Sequence, residues 1–231
     1  GIELTKENQL TKNYTAQTAQ TSNLYNPTNI SWDDLTFSGQ KSDGETTTVG
    51  AYLFDSINIG EKVIFTGGGR FDKYDTTNDI ISSTLVPSTI EDKGHLNSYK
   101  AGLVYKPIDN GSVYISRATT QLPPGGANFT LSSTANNANN PDMEPQKSTT
   151  DEVGTKWDLL NNKLSLTTAI YKTVVENETM TELDGSASQN GEKEVEGLEF
   201  GAVGEITDKW NLSAGLAKMN TEYTKATSTN D

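Results

Sequence analysis

Apolar and polar residues alternate with a period of two along most of this chain, the signature of strands with two unlike faces. Between 63 and 73 the odd positions are Val63, Phe65, Gly67, Gly69 and Phe71, and the even ones are Ile64, Thr66, Gly68, Arg70 and Asp72. The next strand sets Tyr99, Ala101, Leu103 and Tyr105 against Ser98, Lys100, Gly102 and Lys106, with only Val104 out of place. Val153, Thr155, Trp157 and Leu159 oppose Glu152, Gly154, Lys156 and Asp158, and Trp210, Leu212, Ala214 and Leu216 share one side of a further strand. Helical periodicity is nowhere sustained. Nine strands are predicted, over 1–13, 44–56, 62–75, 97–107, 111–120, 149–159, 163–175, 193–206 and 209–223. The segment 112–119 has an ambiguous register, because Val113 and Ile115 share parity with Arg117.

Two kinds of connection alternate between these strands. Short ones fall at 56–61, 107–111, 160–162 and 206–209, and long polar ones span approximately 15–45, 76–96, 121–148 and 176–192. Long structureless loops argue against a compact soluble domain. Alternating short and long connections between antiparallel strands instead mark an outer-membrane β-barrel, with short periplasmic turns and long extracellular loops. Trp157 and Trp210 lie near short turns, where an interfacial aromatic girdle belongs. An odd strand count cannot close an up-and-down barrel with both ends on the periplasmic side, so further polypeptide is expected to complete the two sheet edges. A secreted or surface β-sandwich adhesin also produces one-sided alternation and stands as the alternative.

Composition narrows the classes further. Eighteen Lys+Arg against 31 Asp+Glu give a net charge of -13, and 32% hydrophobic residues give a mean hydropathy of -0.61. No apolar run reaches 18 residues, which excludes a helical membrane protein. An acidic chain without basic patches is not expected to bind nucleic acid. Zero cysteines remove disulfides and thiolate chemistry. Gly1-Ile2-Glu3-Leu4 opens in strand-like sequence with no signal peptide, which suggests a piece of a longer polypeptide.

Specific residues carry a family resemblance. Asn140-Pro141-Asp142-Met143-Glu144-Pro145-Gln146-Lys147-Ser148, followed by Asp151-Glu152-Val153-Gly154-Thr155-Lys156, resembles a stretch of TonB-dependent siderophore receptors, with Met143 and Gln146 departing from the usual Leu and Glu. Gly68-Gly69-Arg70-Phe71-Asp72, Gly1-Ile2-Glu3 and Val195-Glu196-Gly197-Leu198-Glu199-Phe200 are similar to barrel strands of that family, and Gln121-Leu122-Pro123-Pro124-Gly125-Gly126 resembles the ferric-catecholate variant. The resemblance implies an all-β chain, the middle of a 22-stranded transmembrane barrel covering 1–231, without the plug domain, the TonB box or the C-terminal strands. It implies uptake of ferric siderophores, with catecholates preferred, energised through TonB. The implied partners are the siderophore, TonB, the remaining barrel and plug, and outer-membrane lipid and lipopolysaccharide. The ferric siderophore is cargo, and no cofactor is expected on this chain.

Such a receptor makes no bonds, so the residues to seek are those that recognise an aromatic anion, namely cations and aromatic faces. Arg70 is lumen-facing by parity and is expected to pair with Asp72 or Glu152, with ligand contact as the second reading. Arg117, leading into Gln121 and the proline-stiffened segment, is the leading ligand candidate, and Trp32, Tyr25 and Tyr74 are the aromatics in or beside long loops. His95 is the only histidine and lacks a metal partner. Glu176, Glu178, Glu182 and Asp184 form an acidic stretch without EF-hand spacing, so solvated surface or divalent bridging to lipopolysaccharide is the reading there. Asn-X-Ser/Thr triplets at Asn29, Asn128, Asn177 and Asn211 carry no weight in so Asn/Thr-rich a chain, and no catalytic set is apparent.

Overall fold

A computed structural model describes residues 1–15, 23–26, 35–135, 137, 139–181, 187–207 and 209–225. Nine strands form one antiparallel sheet in sequence order: β1 (Ile2–Tyr14), β2 (Phe37–Ile59), β3 (Val63–Ile81), β4 (Pro87–Ile108), β5 (Gly111–Leu122), β6 (Gln146–Leu159), β7 (Leu164–Thr181), β8 (Ala187–Thr207) and β9 (Trp210–Lys225). β1 pairs only with β2, and β9 only with β8, so the sheet is open. One continuous sheet among the described residues removes the β-sandwich alternative, which needs two sheets packed face to face.

The short turns gather at one end. Gly60 (φ 66°) turns β2 into β3, while Leu160, Asn161 and Asn162 all take positive φ between β6 and β7. Asn110 braces the β4–β5 turn by donating its side-chain amide to the Asp158 carbonyl at 2.8 Å.

Two of the four expected long loops are largely strand among the described residues. Within 76–96, β3 and β4 stay in register through Thr77–Glu91 and Asp79–Thr89 to Ile81–Pro87, and residues 82–86 make a tight turn with Leu85 at φ 59°. Within 176–192, β7 and β8 run on with bulges to Thr181 and Ala187. β2 likewise begins at Phe37, seven residues before its expected start at 44. Apolar alternation therefore stops before the strands do. Above that level both faces are polar and the pattern vanishes, although backbone pairing continues.

The two faces differ in register. Ile57, Phe65, Leu103, Ile115, Val153, Ile170 and Leu198 lie in one cross-strand row of what is here called the outer face. The next row toward the long-loop end contains Arg117, Asp151, Lys172 and Glu196, so from β5 to β8 the apolar band ends sharply in charges. On β3 the outer face stays uncharged three rows further, through Gly67, Gly69 and exposed Phe71, and Lys73 is the first charge. A border that steps across rows is expected when strands are tilted by about 35–45° to the band. On the opposite, inner face, rings lie flat over cross-strand glycines: Tyr114 over Gly154, Tyr171 over Gly197 and Tyr74 over Gly94. A Cβ at Gly94 would stand 2.7 Å from the Tyr74 hydroxyl, so a glycine is required there for close approach.

Candidate functional site

The inner wall is polar, as the alternating pattern requires, and its groups are engaged with one another at three heights. Nearest the short turns, Tyr114 donates to Glu152 at 2.7 Å, and the Lys156 ammonium lies 5.9 Å from the Tyr114 ring centroid. Thr66, Lys100, Gly102 and Ser116 continue this concave surface.

At mid-height Arg70 ties three strands together. Its Nε donates to both Asp72 oxygens at 2.8 and 2.9 Å, one terminal nitrogen reaches Glu3 at 2.6 Å, and its guanidinium lies 5.6 Å from the Tyr52 ring centroid. Asp72 shares its strand with Arg70, whereas Glu3 stands on β1, so the cluster spans β2. Gly50 on β2 leaves the space, since a Cβ there would come within 2.5 Å of Asp72 Oδ1 and 2.8 Å of an Arg70 nitrogen. The structure therefore pairs Arg70 with Asp72, as the sequence suggested, and adds Glu3 in the place considered for Glu152.

Higher still, above the apolar band, a buried polar ladder lines β2–β4. Tyr74 donates to Asp92 at 3.1 Å, Thr46 and Thr76 share a hydrogen bond of 2.8 Å, and Ser42 donates to Asn78 at 2.8 Å. Burial pushes the Tyr74 hydroxyl well above its ordinary range, with the Asp92 charge adding to it, and burial also raises the Asp92 carboxyl. The Tyr74 phenol keeps its proton and donates it to Asp92, so this level acts as an anchored wall with little spare capacity for a ligand.

The connection 123–145 folds back onto this ladder. Leu131 is only 1% exposed, its carbonyl accepts from Asn78 at 3.3 Å, and Gly44 leaves room for the Phe129 carbonyl. The Asn140–Pro145 segment supplies the other end of the strap. The Asn140 side chain accepts from Asp142 N at 2.8 Å and donates to the Thr134 carbonyl at 3.1 Å. Gln189 on β8 then exchanges hydrogen bonds with the Glu144 backbone at 2.7 and 2.8 Å, and Asn177 on β7 donates to the Pro145 carbonyl at 3.0 Å. Asn78, Leu131 and Gln189 were not singled out from the sequence, and Asn177 was noted there only as a triplet without weight. The single Leu in the Ser/Thr/Asn-rich run 130–140 was the available signal.

The remaining candidates are dispersed. Arg117 lies on the outer face with Val113 and Ile115, in a bidentate pair of 2.7 Å with Asp151, its directly opposed neighbour on β6. The expectation that it points into the lumen is thus reversed, because its parity follows the apolar stripe below it. Gln121 shares that parity and accepts from the Asn97 backbone N–H at 2.6 Å, replacing a strand acceptor where β4 and β5 part. Tyr25 is 94% exposed, and Trp32 lies outside the described residues. His95 stacks on Phe71 at 5.8 Å on the outer face. Among the described residues no cluster of three or more metal-ligating side chains occurs.

Comparison with known proteins follows the same lines. The family model for TonB dependent receptor-like β-barrels matches residues 2–231. The chain is 38% identical over 241 residues to the catecholate siderophore receptor Fiu of Escherichia coli (strain K12), covering 95% of this chain and 32% of that protein. It is 41% identical over 184 residues to a probable TonB-dependent siderophore receptor, PiuA, of Acinetobacter baumannii, covering 78% of this chain and 24% of that one. The crystal structure of the ferric-catecholate import receptor Fiu from K12 E. coli, in its closed form, superposes with a TM-score of 0.88 at 34% identity, over 97% of this chain and 35% of that one. The chain thus spans about a third of the length of these relatives, or less.

Proposed function

The chain belongs to the TonB-dependent receptor β-barrel family, and from that premise we propose that it forms part of an outer-membrane receptor for ferric siderophores, catecholates in particular. The apolar outer band supports the membrane reading, because its alternation with a polar inner face suits a wall between lipid and a water-filled lumen. The observation that carries the substrate class is the likeness, through nearly the whole chain, to receptors named for catecholate siderophores. No bond is made or broken in this role, and the iron complex is cargo that passes through.

The chain's own residues supply the wall, the rim and the strap. Arg70, Tyr52, Lys100, Lys156, Tyr114 and Tyr171 present cations and ring faces toward the lumen, the chemistry that an aromatic anion requires. A plug domain inside the barrel, further strands closing β1 and β9, and TonB as the energy source complete the proposal, with lipid and lipopolysaccharide around the outer face. Nucleic acid has no place in it, since the net charge of -13 repels phosphate.

The test is uptake of labelled ferric catecholate by a strain lacking its own catecholate receptors and carrying the full-length protein. Uptake that appears with the receptor and disappears without TonB is expected. TonB-independent uptake, or a hydroxamate taken up in preference, would overturn the reading.

A further inference from the structure

Two lysines on the inner wall lack the carboxylate partners that hold Arg70 and Lys193 there. Arg70 is met by Asp72 and Glu3, and Lys193 reaches Glu178 at 3.4 Å. Lys100 on β4 and Lys156 on β6 form no ion pair with any described residue, in a chain with 31 acidic residues against 18 basic ones. Neither stands at a sheet edge, since β4 lies between β3 and β5, and β6 between β5 and β7, so no missing strand accounts for their state.

Both line one concavity of about 370 Å³ below the Arg70 cluster. Glu152 is the single carboxylate in that lining, and it already accepts the Tyr114 hydroxyl at 2.7 Å, so the lining carries a net positive charge. Glu199 continues the Tyr114 row on β8, beyond Gly154 and Ala169, and stays outside the lining. A ring accompanies each ammonium. The Tyr114 centroid lies 5.9 Å from Lys156 Nζ, while Phe54, 53% exposed, covers Gly68, the residue directly opposite Lys100.

Height orders these groups. Lys100 stands in the inner-face row next below Arg70, and Lys156 stands three such rows lower still. Six residues separate the two levels, about 20 Å along a strand, which the long side chains shorten from both ends. One small ring does not span that interval, whereas an iron complex of several rings meets the two cations together or in succession. A lysine without a carboxylate partner sets no competitor against such an anion, and ring faces add to the attraction.

We propose that this concavity is a transit site inside the lumen, where the anionic iron complex places its oxygens on Lys100 and then Lys156, with its rings against Phe54 and Tyr114. The inference rests on the reading of the chain as part of a ferric catecholate receptor, and it adds a second contact point below the mouth.

The probe is radio-iron-labelled iron(III) tris(catecholate), given to a strain lacking its own catecholate receptors and carrying the full-length protein. The Lys100→Gln/Lys156→Gln double variant should take it up about tenfold more slowly than wild type, the worth of one charge-assisted hydrogen bond. Surface binding by the same cells without TonB reads the mouth alone and should stay within about twofold of wild type. Replacing both lysines by arginine should restore most of the rate, because the charge returns. An unchanged rate in the double glutamine variant overturns the transit site alone, and so does a failure of arginine to restore it. Surface binding lost in step with uptake also overturns it, by moving the lysines' effect to the mouth or to assembly. Uptake that becomes independent of TonB, with new sensitivity to large hydrophilic antibiotics, overturns it in favour of lysines that hold polypeptide filling the lumen. A wild-type receptor that takes up no catecholate complex counts against the proposed function itself.

Discussion

Truncating Leu131 should release the strap without unfolding the barrel. The side chain is 1% exposed and is the apolar anchor holding 123–145 against β2 and β3. Leu131→Ala removes about three methyl or methylene groups, at about 0.8 kcal/mol each, and some cavity cost adds to that, giving about 2.5–3 kcal/mol. The strap's other ties are neutral hydrogen bonds from Asn78, Asn177 and Gln189, worth about 1 kcal/mol each. Loss of the anchor therefore falls on the docking equilibrium, and the undocked population should rise about a hundredfold at 1.4 kcal/mol per factor of ten. Hydrogen exchange in the full-length receptor reads this directly. The amides of Ser132, Asn140, Met143 and Glu144, which donate within the strap or to Gln189, should lose protection, while those of β5 and β6 should not. Leu131→Met, of similar volume, should keep most of it. Protection of those four amides within threefold of wild type, in a normally assembled Leu131→Ala receptor, would refute the assignment of Leu131 as the anchor.

Two further outcomes test the rest of the wall. Gly50→Ala places a methyl within 2.5 Å of Asp72 Oδ1 and should disrupt the Arg70–Asp72–Glu3 cluster, lowering the melting temperature of the folded band on a gel by an amount matching about 1–3 kcal/mol; an unshifted melting curve would show that the cluster tolerates the methyl. Arg117→Ala should leave siderophore affinity within twofold of wild type, because the guanidinium is spent on Asp151 on the outer face, and a tenfold or larger loss by isothermal titration would put Arg117 at the ligand after all.

Strand number, antiparallel order and the placing of the short turns were legible because each is a local property. A two-residue alternation and a cluster such as Asp109-Asn110-Gly111 need no distant partner to be read. Strand length was less legible. Thr76 and Asn78 are buried on the inner face, yet both are polar, and their neighbours Asp75 and Asp79 are polar on the outer face. A segment polar on both sides looks like a loop to any reading that relies on hydrophobic contrast. The same blindness hid the strap, whose run 130–140 holds a single leucine among Asn, Ser, Thr and Ala, and whose backbone is held by the side chains of Asn78, Asn177 and Gln189 far away in sequence.

Arg117 shows why site residues were harder still. Its parity with Val113 and Ile115 was visible, but parity alone does not say whether an arginine marks the lumen or the top of the lipid band. The deciding fact is its register partner. Asp151 stands opposite it on β6, Lys172 opposite Asp151, and Glu196 opposite Lys172, so four strands carry alternating charges at one level. A single charge on a strand is ambiguous, whereas a row of complementary charges across four strands is a boundary between apolar and aqueous surroundings. Rows form only when the sheet is assembled. Inner-face cations include Arg70 at mid-height and Lys100 and Lys156 below it, and on the proposed reading these are the ones an anionic ligand would meet. Arg70 is already held by Asp72 and Glu3, and Lys156 lies over the Tyr114 ring. An anionic ligand passing this wall must therefore compete with carboxylates for Arg70, which favours transient contact over tight capture at that level.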